Sequence, residues 1–186
     1  MAGQPLIKTE RLLLRPFEAQ DAPAVQRLIG DPRVLSTLVR VPDPYDEGMA
    51  RQWIATRADA LARGESVNFA VTLRGPGELI GGIGLLFRLP DARASLGYWI
   101  ARAHWGNGYA TEAARAVVAR GFEEWNLHRI HADHLVRNPA SGRVMQKIGM
   151  TREGRLRRHV IKRGVFEDVE VYGILRDEFR AGTAAG

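Results

Sequence analysis

The chain has 186 residues, of which 45% are hydrophobic and 26% charged, a length and balance that suit one folded domain with a sizeable core. It contains no cysteine, which excludes a disulfide framework, a thiolate zinc site and a cysteine nucleophile together. The formal charge of +6 suits a polyanionic partner such as nucleic acid, an acidic protein surface or a cofactor carrying several phosphates.

No apolar run approaches the roughly 20 residues of a membrane span. The opening Met1-Ala2-Gly3-Gln4-Pro5 has no basic and apolar leader pattern, so a cytoplasmic protein without a membrane partner is expected. Residues 11–17 read as a strand closed by Pro16. Asp21 reads as the cap of a helix ending at Ile29, and residues 40–46, with Pro42 and Pro44, as an irregular loop. The spacing of Met49, Trp53, Ile54 and Leu61 predicts one helix over 47–63, stopped by Gly64. Strands follow at 67–73 and 79–86 across a Gly75-Pro76-Gly77 turn, then at 95–100 after a turn at Asp91-Ala92. A long amphipathic helix covers 111–125 and a strand covers 129–136. Asn138-Pro139 opens a helix to Ile148, since Asn caps well and Pro suits the first helical position. Segments 155–160 and 168–175 close the chain as an antiparallel pair.

The order β-α-α-β-β-β-α-β-α-β-β, without an internal repeat, implies one α+β domain over residues 1–180. Its sheet is mixed and largely antiparallel, with helices on its faces. Residues 181–186 read as a disordered tail.

The chemistry concentrates in Leu96-Gly97-Tyr98-Trp99-Ile100 and Trp105-Gly106-Asn107-Gly108-Tyr109-Ala110-Thr111-Glu112-Ala113. This is a strand, a glycine loop and a helix start. Backbone N–H groups at a helix start lack intrahelical partners and sit at the positive end of its dipole. A glycine loop there lets a phosphate approach the main chain. A Gly-x-Gly before a helix also occurs as a mere tight turn. No Gly-Lys-Ser/Thr follows, so this is no Walker loop, and the glycine spacing is not that of a Rossmann fingerprint.

The run from Trp105 to Ala113 resembles the cofactor loop of the GNAT superfamily of N-acetyltransferases, in its RimJ/RimL-type branch. Thr9-Glu10-Arg11-Leu12-Leu13-Leu14-Arg15, Asn138-Pro139-Ala140-Ser141 and Lys147-Ile148-Gly149-Met150 carry the same resemblance. The one departure from the superfamily pattern is Trp105, where Gln or Arg is common; in this branch the change is usual. The resemblance implies the GNAT fold with splayed central strands, and acetyl-coenzyme A as co-substrate. It further implies that the main chain of Tyr98, Trp99 and Ile100 lines the pantetheine arm. Backbone N–H groups of Gly106, Asn107, Gly108, Tyr109, Ala110 and Thr111 would hold the pyrophosphate. Asn138 would hydrogen-bond the pantetheine, and Ser141 would lie near the thioester sulfur. Asn138 also reads as a helix cap, and Ser141 as a solvated first-turn serine.

Transfer to an amine needs a neutral nucleophile, and a free α-amine, with a pKa near about 8, gives up its proton far more readily than lysine at about 10.4. A protein N-terminus, for example on a ribosomal protein, is therefore the expected acceptor; aminoglycosides, polyamines and amino-acid derivatives are the alternatives. Glu167, Asp168 and Glu170 are candidate bases, Asp168 foremost; Asp168 also reads as a salt-bridge partner of a neighbouring arginine. The N–H near Ile100 is the natural oxyanion donor.

His128, His131 and His134 alternate faces along a strand, so no metal site is expected from them. Arg152, Arg155, Arg157, Arg158, Lys162 and Arg163 form a basic cluster that reads as a solvated hairpin or an RNA contact. A non-catalytic acyl-coenzyme A or RNA-binding module is the competing function class. A homodimer is expected from the apparent aromatic surplus of Trp53 and Trp125.

Overall fold

Leu12 and Leu14 are fully buried while Leu13 between them is not, so strand β2 (Leu12–Pro16) turns one face inward at the period of two expected of a strand. The computed structural model describes residues 4–179. The tail expected at 181–186 lies outside the described residues.

A short strand β1 (Ile7–Lys8) pairs antiparallel with β2. The segment after β2 carries α1 (Ala22–Ile29), α2 (Pro32–Leu35), α3 (Glu47–Ala55) and α4 (Arg57–Ala62). A meander follows: β3 (Ser66–Leu73), β4 (Leu79–Arg88) and β5 (Arg93–Ile100). Then come α5 (Tyr109–Glu124), β6 (Arg129–Leu135), α6 (Pro139–Lys147), β7 (Thr151–Lys162) and β8 (Val165–Leu175). The eight strands form one sheet in the order β1-β2-β3-β4-β5-β6-β8-β7.

Successive residues of β5 address opposite faces. Leu96 and Ile100 join the core under α5 and α6, with Tyr98 packed against it, whereas Trp99 packs with Phe17 and Trp53 on the cluster built by α1 and α3. Helices therefore cover both faces of the sheet. All pairings are antiparallel except β5–β6. That one parallel pair runs only from Arg93↔Arg129 to Ser95↔His131, after which the strands diverge. The expected α+β fold with splayed central strands is the one observed.

Several expectations are corrected in detail. The single helix over 47–63 is two, because the Thr56 hydroxyl donates to the Trp53 carbonyl at 2.9 Å and competes with the helical ladder. Asp21 stands at the start of α1 without capping it; its carboxylate instead takes Arg15 at 2.7 Å through both oxygens and the Glu18 N–H at 2.8 Å. Strands β7 and β8 are longer than the 155–160 and 168–175 expected, since their charged residues hide the alternation that marks a strand. The aromatic surplus is met inside the chain. Trp53 packs edge-on against Phe17 at 5.0 Å and Trp125 against Phe87 at 5.4 Å.

Candidate active site

The divergence of β5 from β6 opens a cleft of about 630 Å³. In an antiparallel ladder alternate residues bond the partner strand. The Ala101 N–H donates to the Ile80 carbonyl on β4 at 2.7 Å, so Trp99 and Gly97 also face β4. The N–H and C=O groups of Tyr98 and Ile100 then point to the open edge. The indole N–H of Trp105 takes the Ile100 carbonyl there at 2.7 Å, which anchors the start of the glycine loop to the end of β5.

Gly106 and Gly108 have φ of +82° and +81°, the left-handed region that favours glycine. Nothing lies within 4 Å of the position a Gly106 side chain would take, so the main chain is open to a ligand there. Gly108 caps α5 without any side-chain hydrogen bond, leaving the first N–H groups of a 16-residue helix facing the cleft. Asn107 braces the loop through its amide to the carbonyls of His104 and Trp105, at 3.2 and 3.3 Å.

The N-terminal Thr9-Glu10-Arg11 segment secures this helix start. Glu112 accepts the Thr9 hydroxyl at 2.6 Å, the Arg11 N–H at 2.8 Å and the Arg11 guanidinium at 2.7 Å. Burial alone would raise the Glu112 carboxyl; these three donors together hold it below the usual carboxylate range. Arg11 also reaches the Asn107 carbonyl at 3.0 Å and lies over the Tyr109 ring.

Opposite the loop, α6 brings Ser141 to Tyr98. The phenol oxygen lies 2.7 Å from Ser141 Oγ and 3.0 Å from the Ser141 carbonyl. Burial pushes the Tyr98 phenol up to about 12, and the Ser141 contact only partly offsets it. Tyr98 is thus a neutral O–H donor across the physiological range. Asn138 begins α6 without a side-chain capping bond, so its amide stays uncommitted at the cleft wall.

Counting on from Ser95↔His131, Gly97 lies level with Asp133 and Tyr98 level with His134. Tyr98 and His134 share the α6 face: a side chain on Gly142 would meet His134 Nε2 at 2.6 Å. Asp133 and Gly97 therefore share the opposite face. A side chain at Gly97 would meet nothing within 4 Å, so that face of β5 is open at this level. Asp133 is the one carboxylate among the described residues lining the cleft, and it has no ion-pair partner there. Sequence inspection passed over it, because an acid within a short strand resembles any solvated residue; its place two residues past the last parallel pair is visible only in three dimensions.

Asp168 stands apart from this group. Its carboxylate accepts the Arg158 N–H at 2.7 Å and the Arg155 guanidinium at 2.8 Å, which together hold it below the usual range. It fastens a bulge in β7 and does not line the cleft. Glu167 and Glu170 are likewise engaged, by Arg137 and Arg152. The expectation that Asp168 acts as base gains no support from its position.

The arrangement suits a long ligand with anionic and amide-bearing parts: main-chain donors at the glycine loop, an open strand edge at Tyr98 and the Ile100 N–H, and a free amide at Asn138. Residues 11–151 match the family model described as Acetyltransferase (GNAT) domain. An N-acetyltransferase of Bacillus subtilis, YnaD, is 36% identical over 180 residues, covering 93% of this chain and 98% of its own. The crystal structure of a GNAT-family acetyltransferase from Bacillus anthracis is 33% identical, covers 93% of this chain and 99% of its own, and superposes with a TM-score of 0.83. The chain belongs to the GNAT acetyltransferase family, and it is an acetyl-coenzyme A-dependent acetyltransferase. Two more distant structures share the fold. RimL, a ribosomal L7/L12 α-N-protein acetyltransferase in complex with coenzyme A, is 20% identical with a TM-score of 0.83 and covers 94% of this chain and 99% of its own. Spermidine N-acetyltransferase from Vibrio cholerae, in complex with coenzyme A and spermine, is 22% identical with a TM-score of 0.80 and covers 92% and 99%.

Proposed function

We propose that the acceptor is the α-amine of a polypeptide N-terminus. The observation that carries this is the charge of the cleft. Its acceptor side includes Arg40 and Arg57 against the single carboxylate of Asp133. Arg57 stacks over Trp53 at 4.7 Å and has no carboxylate partner among the described residues, and Arg40 is exposed without one. A polyamine or aminoglycoside carries several cationic groups, and this wall repels those beyond the reacting one. A single terminal amine on a peptide asks for only one acid.

The chain's own groups then divide the work. The N–H groups from Gly106 to Thr111 hold the pyrophosphate, while Asn138 and the open edge of Tyr98 and Ile100 align the pantetheine. Arg143 and Lys147 add positive charge at the cofactor side. Bound there, acetyl-coenzyme A supplies a thioester whose acyl carbon the amine nitrogen attacks. Asp133 receives the proton that the amine must lose. The Ile100 N–H on the open edge faces the oxygen on which negative charge develops. Ser141, backed by the Tyr98 hydroxyl, delivers a proton to the departing sulfur.

Intact-mass turnover of short peptides, spermidine and an aminoglycoside tests the acceptor class. Peptides modified at the α-amine, with spermidine inert, are expected. Faster transfer to spermidine overturns the reading.

A further inference from the structure

The β7–β8 hairpin beside the cleft carries a surface that the catalytic groups do not use. Register slips between Leu156 and Val160, where three residues of β7 bulge out of the ladder. Arg158 sits within the bulge at φ +51°, a conformation costly for a side-chain-bearing residue and fixed here by Asp168. The bulge turns Arg157, Arg158 and His159 outward, all exposed.

The hairpin's acids are already engaged. Arg155 takes Asp168, Arg152 takes Glu170 and Arg137 takes Glu167. Asp43 on the facing loop is taken by Arg163. Among the described residues the side chains of Arg157, Arg158 and the nearby Arg40 have no carboxylate within ion-pair distance. Beyond the bulge the hairpin tip exposes Ile161 by 59%, Val165 by 61% and Phe166 by 60%, an apolar patch flanked by unbalanced positive charge.

This surface is joined to the acceptor side of the cleft. The buried Lys162 ammonium donates to the Val41 carbonyl at 3.0 Å, and Arg137 donates to the Ser36 carbonyl at 2.7 Å. The loop so held contributes Thr37, Leu38, Val39, Arg40 and Val41 to the cleft wall.

We propose that the bulged β7–β8 hairpin docks an acidic, partly apolar polypeptide segment that follows the acceptor N-terminus. Unpaired arginines and exposed aliphatic side chains complement acidic and apolar residues, respectively. RNA fits less well, because Ile161 and Val165 offer nothing to a phosphate backbone and Phe166 alone makes no stacking platform. The proposal rests on the reading that the acceptor is a polypeptide amine.

The test uses the full chain and two ten-residue peptides sharing their first three residues, one acidic and one basic thereafter. A tripeptide amide of the shared residues is the control. An exposed ion pair contributes up to about fivefold, so reversing two charges should raise KM for the acidic peptide about tenfold in Arg157→Glu/Arg158→Glu. Transfer to the tripeptide amide should not change. The preference for the acidic peptide should also fade in about 0.5 M salt. Equal KM for the two long peptides overturns the proposal, as does a variant that loses RNA-oligonucleotide binding while keeping its affinity for the acidic peptide. Fluorescence anisotropy with an N-acetylated acidic peptide reads docking without turnover. If no peptide is acetylated but the blocked peptide binds through Arg157 and Arg158, the acceptor reading fails and the docking surface stands. Absence of binding there removes the docking surface alone.

Discussion

The phenol oxygen of Tyr98 lies 2.7 Å from Ser141 Oγ and 3.0 Å from the Ser141 carbonyl, so both residues sit on one hydrogen-bonded path at the neck of the cleft. When the phenol donates to Oγ, the serine hydroxyl is free to donate onward. When it donates to the carbonyl, the serine hydrogen turns back toward the phenol.

Two groups on one path should fail together. Tyr98→Phe and Ser141→Ala should each lower kcat by about 10²-fold, within the usual reach of general acid catalysis. The double variant should be little worse than either single one. Additive losses would separate the two residues. Because burial keeps the phenol protonated up to about 12, the wild-type rate should show no alkaline limb from Tyr98 below about pH 10.

Asp133→Asn should lower kcat/KM for an α-amine peptide by about 10²-fold, the usual reach of a lost general base. Asp168→Asn should leave kcat/KM unchanged. Asp168 is held below its ordinary value in the fold, so its contribution to stability is present at neutral pH and is lost as pH falls through the folded value. The variant should instead show faster hydrogen exchange at the Arg158 amide. Full activity in Asp133→Asn with about a hundredfold loss in Asp168→Asn would reverse the two assignments.

Gly108→Val places a branched side chain at φ +81°, at the entrance of α5. Calorimetry should show coenzyme A affinity reduced by at least about tenfold, with far-ultraviolet circular dichroism unchanged. Unchanged affinity in a folded variant would remove the phosphate cradle from the mechanism.

Glu112→Gln keeps the shape but weakens the acceptor for Thr9 and Arg11. A loss of about 1–3 kcal/mol at pH 7 is expected in urea unfolding. The wild-type carboxyl is depressed, so its stabilisation is present above the unfolded pKa and declines as pH falls through the folded one. The wild type and the variant should therefore converge in strong acid.

Much of this was legible in the residues. The pattern from Leu96 to Glu112 gave strand, loop and helix, and Gly106 and Gly108 do take the left-handed backbone such a loop requires. What stayed hidden depends on partners distant in sequence. Strand β1 and helix α2 are too short for a periodic signal. The bulge at Arg157 to His159 resembles any basic surface stretch until Asp168 is seen to close it. Asn138 looked like a helix cap, yet its side chain makes no capping bond. Asp133 acquires its meaning only from Gly97 across the gap.

The short β5–β6 pairing has a thermodynamic consequence. A sheet whose β5–β6 ladder stops after Ser95 and His131 leaves an open edge at Tyr98 and the Ile100 N–H. A cofactor that lies along that edge binds the folded form and not the unfolded one. At a hundredfold excess over its dissociation constant it adds about 2.7 kcal/mol to stability. The melting temperature of this protein should therefore rise with the logarithm of coenzyme A concentration, making its persistence in a cell a gauge of cofactor supply.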